Sequence, residues 1–157
     1  MDPVDPMGTR QHSEMLGELS PEAIETLVKV AGADSGSPLI MLELRQLGGA
    51  LARTANHLST IGKGDSKFIM NGIGAAFTPE ITEGVVAYLA RVADATRPFQ
   101  TGDTYVNLME LEGASAERVK AAYPPEDFER LVVLKDRYDP HNVFRFNRNI
   151  APSRAER

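Results

Sequence analysis

The stretch Tyr123–Pro152, YPPEDFERLVVLKDRYDPHNVFRFNRNIAP, constrains the chain most. Phe128, Leu131, Val132, Leu134 and Lys135 follow the i, i+3, i+4 spacing of one helix face, with charges between them. Pro124 and Pro125 fit the first helical turn, where a missing N–H costs little. The helix ends near Tyr138, because Pro140 disfavours helical geometry at Asp139. Beyond it comes an aromatic and amide-rich tail with Val143, Phe144, Phe146, Asn142, Asn147, Asn149 and Ile150. A free tail does not carry that much apolar surface, so this one is expected to pack against something.

The elements upstream decide what it can pack on. Ser20-Pro21-Glu22 and Thr78-Pro79-Glu80 both read as a hydroxyl N-cap, a proline in the first turn and an acid beside the helix N-terminus. They predict helices over 20–31, with Ile24, Leu27, Val28 and Ala31 as its apolar face, and over 79–96, with Val85, Val86, Leu89, Val92 and Ala93. Ser115 caps a further helical start. Alternation predicts strands over Leu39–Leu47, with Ile40, Leu42 and Leu44 towards the helices, over Lys67–Phe77, and over Thr104–Glu110. Gly72 and Gly74 inside the second strand imply a bulge or the close approach of something bulky. Residues 50–67 read as a connection with room for a helical turn. Residues 1–17 hold two prolines among polar residues and read as an irregular lead-in. The expectation is an α+β fold over 18–152, with a small antiparallel sheet of about three strands, helices on one face, and a short tail at 153–157.

Chain length, 157 residues, suits one domain. No apolar run reaches the roughly 18 residues of a membrane span, and MDPVDPMGTRQHSEM has neither the basic nor the apolar region of a secretory leader. A cytoplasmic protein without a membrane partner is expected. The net charge of −5 gives no footprint for nucleic acid. Zero cysteines remove disulfides, thiolate metal sites and cysteine nucleophiles. His12, His57 and His141 show no metal-ligand spacing. Gly62-Lys63-Gly64-Asp65 lacks the spacing of a phosphate loop, and no GxSxG elbow is present.

Three polar groups remain of interest. On a strand, Tyr105 and Asn107 share a face, where a phenol and an amide side by side hold a substrate hydroxyl or a flavin edge. A tyrosine beside a cation or hydrogen-bond donor serves as a general base. Equally, Tyr105 packs in a sheet with its OH at the rim. Glu43 and Arg45 project from one face of the first strand as a solvated pair or as pocket walls. Asn71 is a polar group on a largely apolar face of the second.

These residues also carry a resemblance. Leu42-Glu43-Leu44-Arg45-Gln46-Leu47-Gly48-Gly49, Thr101-Gly102 with Tyr105-Val106-Asn107, and Arg130-Leu131 through Leu134-Lys135, Tyr138-Asp139-Pro140, Asn142, Phe144 and Asn149-Ile150 resemble, in order, segments of the berberine-bridge-enzyme-like, FAD-linked oxidases. The resemblance implies an α+β substrate domain whose sheet lies over a flavin held by a separate FAD-binding domain. It implies hydride transfer from a small organic substrate to flavin, with O₂ as acceptor. Tyr105 is then the candidate base, Asn107, Asn147 and Asn149 contact the cofactor, and Gln46 and Asn71 face the substrate. The family's His-Arg pair before the second strand is replaced by Gly64-Asp65-Ser66-Lys67, and Arg148 stands where Gln is common. No FAD phosphate loop is visible, so the chain alone is expected to hold FAD poorly. Its partner is an FAD-binding domain or chain, or a second copy of itself. The alternative is a non-catalytic module that binds a small molecule or self-associates.

Overall fold

The computed structural model describes residues 7–49, 66–110 and 114–154. The expected connection over 50–67 lies largely outside them. Strands β1 (Thr9–Leu16), β2 (Leu39–Gln46) and β3 (Phe68–Ala75) form one antiparallel sheet in the order β1-β3-β2. Helices α1 (Pro21–Ala31) and α2 (Pro79–Thr96) are capped by the hydroxyls of Ser20 and Thr78, which accept from the Ala23 and Ile81 N–H groups. Helices α3 (Ala116–Ala121) and α4 (Pro125–Tyr138) follow. The fold is α+β.

The core lies between the sheet and the first two helices. Leu16, Leu27, Val30, Met70 and Val92 are buried together, with Leu39, Leu42 and Phe68 against them. Tyr88 of α2 ties the helices together by donating its OH to the Val30 carbonyl at 2.8 Å. The two strand glycines mark close approach rather than a bulge. A Cβ on Gly74 would lie 2.4 Å from Val85 Cγ1, and one on Gly72 would lie 2.9 Å from Leu89 Cδ2. Hydrogen in place of a side chain lets α2 rest directly on β3.

Several expectations need correction. The third strand is β1, not Thr104–Glu110. The lead-in over 9–16 is paired along its whole length to β3, and Met15 and Leu16 are almost wholly buried. Residues 104–110 instead contain a 3₁₀ turn at Val106–Leu108. They meet β1 through side chains: Gln11 Nε2 and Ser13 Oγ donate to the Leu108 carbonyl at 3.2 and 3.0 Å, and the Gln11 N–H donates to Glu110 Oε1 at 3.0 Å. In β2 a register shift between Leu39 and Met41 puts Leu39, not Ile40, over the core. Ile40 and Leu44 are exposed. In α1 the buried stripe is Ala23, Leu27 and Val30, with Ile24 and Val28 outside; in α2 Val86 is likewise outside.

A second, smaller cluster of Met109, Val119 and Ala122 takes in Val106, Ala114, Tyr123 and Ile150. It joins the turn after Tyr105 to α3 and to the tail. Helix α4 ends at Tyr138 as its sequence predicts, but has no fully buried residue. The tail backbone is pinned to it. Asp139 accepts from the Val143 and Phe144 N–H groups at 2.7 and 3.0 Å, and Lys135 Nζ donates to Asp139 Oδ2 and to the Phe144 carbonyl. The Phe144 and Phe146 side chains nevertheless face outward, with those residues 81% and 76% exposed. Among the described residues, no helix is long and apolar enough to cross a membrane.

Candidate functional site

The sheet face away from α1 and α2 is built from the odd-numbered residues of each strand. Direct neighbours form three rows across it: Gln11–Ile73–Met41, Ser13–Asn71–Glu43 and Met15–Ile69–Arg45. Pleating alone makes this face mixed, because β3 alternates small or core residues with Ile69, Asn71 and Ile73. The central row is polar and sits on the middle strand. Asn71 is only 2% exposed, and its Oδ1 has no hydrogen-bond partner. Glu43, directly opposite on β2, accepts from Arg45 Nε at 2.6 Å through Oε1, while its buried Oε2 is also without a partner. Among the described residues, two acceptor oxygens on adjacent strands therefore lack donors. Native proteins rarely leave such atoms unsatisfied, and doing so costs about 1–3 kcal/mol each.

Arg45 is held in its charged form, above its ordinary value. The hydrogen bond to Glu43 is the largest cause, then the charge of Glu43, opposed by a small burial penalty and assisted by the Tyr105 phenol. Tyr105 is half-buried, and its OH accepts from Asn107 Nδ2 at 3.2 Å. The two meet across the start of the 3₁₀ turn, not along a strand as their spacing predicts.

The structure brings Tyr105 and Asn107 together, and sets Asn71 in the same face as Arg45. It does not bring in Gln46. That residue pairs with Phe68 and so belongs, by alternation, to the helix side of β2. Asn147 and Asn149 line a different cleft of about 610 Å³, with Glu117, Lys120 and Phe128. Asn147 adopts φ 63°, the left-handed region Asn tolerates, and Asn149 Oδ1 is buried without a partner. Ser13 is a site residue its sequence does not announce. Position in the row, not residue type, identifies it. Among the described residues no group of three His, Asp or Glu could hold a metal ion.

Residues 104–151 match the family described as berberine and berberine like. No curated protein matches the chain. Among solved structures it is similar to berberine bridge enzyme from Eschscholzia californica, with 19% identity and a TM-score of 0.73, over 96% of this chain and 34% of that one. A variant of that enzyme described as a reticuline dehydrogenase matches with 18% identity and a TM-score of 0.76, over 99% of this chain and 35% of the other. Phl p 4, a grass pollen allergen with glucose dehydrogenase activity, matches with 14% identity and a TM-score of 0.74, over 92% and 32%. The chain thus spans about a third of the length of the solved structures it matches. Its fold is shared along nearly all its length with these structures, and the segment that matches the berberine and berberine like family carries Tyr105 and Asn107.

Proposed function

We propose that this chain forms the substrate-facing part of an FAD-dependent oxidoreductase that takes a hydride from a small organic substrate. The observation that carries the reading is the sheet face away from α1 and α2, where two buried acceptor oxygens, on Asn71 and Glu43, want donors beside the Arg45 guanidinium. An alcohol or amine substrate supplies such donors. Its O–H or N–H group bonds Asn71 Oδ1 or Glu43 Oε2 and is oriented by them. Tyr105, as the phenolate, takes the proton the substrate loses and becomes a neutral phenol; the Arg45 charge stabilises that phenolate before the transfer.

FAD, when bound, supplies the hydride acceptor and passes the electrons on to O₂. The exposed Asn107 amide fits contact with the polar rim of such a ring, while the orphaned Asn149 oxygen, with Asn147 beside it, offers a polar contact in its own cleft. These are edge contacts; nothing in the described residues cradles a dinucleotide's phosphates. A separate FAD-binding domain or chain therefore holds the cofactor in this reading, and the exposed Phe144 and Phe146 suit such a neighbour.

Two measurements test it. The chain is mixed with FAD, alone and together with the FAD-binding part of a relative, and the retained flavin spectrum is read. Retention only in the mixture is expected; none in either condition sinks the proposal. In the assembled enzyme, Tyr105→Phe is expected to slow flavin reduction by about 10²-fold or more while flavin content stays the same. An unchanged rate removes Tyr105 as the base.

A further inference from the structure

We propose that two copies of this chain join through the outer edges of β2, in antiparallel register centred on Leu44, so that their sheets become one.

The edge is open. The Leu47 N–H donates to the Lys67 carbonyl at 2.8 Å, which fixes the parity of β2 against β3. Met41, Glu43 and Arg45 turn their backbone groups inward to β3, and Leu42, Leu44 and Gln46 turn theirs outward. Among the described residues nothing pairs with those outward groups. The same edge is apolar, with Ile40 56% and Leu44 40% exposed. The opposite edge of the sheet is covered. Thr101 N–H donates to the Met15 carbonyl, Gly17 N–H to Phe99, and Gln11 N–H to Glu110 Oε1. One edge open and one closed gives a dimer, not a filament.

Charge selects the register. A two-fold axis at Glu43 places Glu43 opposite its own copy, and an axis at Arg45 places Arg45 opposite Arg45; both oppose like charges. Axes at Leu42 or Gln46 leave both charges facing apolar or glycine positions. Only the axis at Leu44 sets each Glu43 opposite the other copy's Arg45, twice. In that register Leu44 exchanges both backbone bonds with its own copy, and Leu42 does so with Gln46. Arg45 uses Nε on the Glu43 of its own strand, leaving its terminal N–H groups for the other copy. Each copy thereby completes the other's charged row.

The test is molecular mass by light scattering across a concentration series of the full chain. A dimer is expected. Arg45→Glu and Glu43→Arg each set like charges opposite one another and are expected to weaken association by about tenfold or more. Glu43→Arg combined with Arg45→Glu swaps the pairs and restores it. A wild-type monomer at every concentration, assemblies larger than two, or a double variant no better than the singles overturns the proposal. The cysteine-free sequence permits a second arm that does not depend on charge. Leu44→Cys faces its own copy at a Cα separation of about 5.5 Å, close enough for a disulfide, whereas Ile40→Cys does not. Oxidation should cross-link the first and not the second; equal cross-linking of both overturns the register.

Discussion

At the scale of single residues, the orphaned oxygen of Asn71 links stability to the proposed function. A buried acceptor without a donor destabilises the fold, and a ligand that supplies one relieves it. Asn71→Leu is therefore expected to raise the unfolding free energy by about 1–2 kcal/mol in denaturant titrations. It should also weaken substrate binding in the assembled enzyme. A loss of stability would mean that the oxygen is satisfied in solution. Asp139 gives the complementary case. Its carboxyl lies below the ordinary value of 3.8, first because Lys135 donates to it, then because the Val143 and Phe144 N–H groups do, against a burial penalty. A carboxylate with a lowered folded pKa contributes its stability fully above the unfolded value. That contribution falls away as pH drops from about 3.8 through the folded value. Protection from amide exchange at Val143 and Phe144, relative to the intrinsic rate, should accordingly fall as pH drops below about 3.8, and Asp139→Asn should show weakened protection at neutral pH. Wild-type protection that stays constant across that range would remove Asp139 as the clamp.

At the scale of elements, the helices were the most legible part. A hydroxyl cap and a first-turn proline satisfy or remove orphan N–H groups locally, so α1 and α2 needed no tertiary information to be found. Which stripe each helix buries was less legible. Ile24 and Val28 have apolar side chains, yet α1 is rotated so that Ala23, Leu27 and Val30 meet the sheet. The strand glycines were read as marking a bulge or a close approach, and the structure decides for the second, with Val85 and Leu89 of α2 as the neighbours. Gly74→Ala should then cost about 1–3 kcal/mol by overpacking. Gly74→Ala with Val85→Ala should recover part of that loss, because the clashing methyls are gone. Thermal unfolding of the single and double variants decides it; additive losses would mean that the glycine serves the strand backbone instead.

At the scale of the whole molecule, β1 matters most. It completes the sheet, buries Met15 and Leu16, and holds the Tyr105–Glu110 segment through Gln11 and Ser13. A chain shortened to begin at Glu18 should lose its cooperative thermal transition, as followed by circular dichroism. A sharp transition at the original temperature would show that β1 is an accessory. The strand was illegible because its residues, TRQHSEML, alternate polar with polar. Their partners are carbonyls and carboxylates distant in sequence, and no local pattern encodes those. The candidate site was half legible for the same reason. Tyr105, Asn107 and Asn71 stood out by type and by family resemblance. The placement of Gln46 on the other side of β2, and of Asn147 and Asn149 in a separate cleft, depended on register and chain path.

The closing stretch divides the two kinds of information. Its sequence by itself determined the helix from the prolines to Tyr138 and the turn at Asp139, because caps, proline geometry and an i, i+4 lysine–aspartate pair act within a few residues. It also determined that the tail carries more apolar surface than a free end needs. Only the tertiary structure decided which part of that surface is covered: Ile150 joins the Met109–Val119–Ala122 cluster, while Phe144 and Phe146 point outward. Burial is a property of what else is near, and nothing in a local pattern of side chains specifies its neighbour.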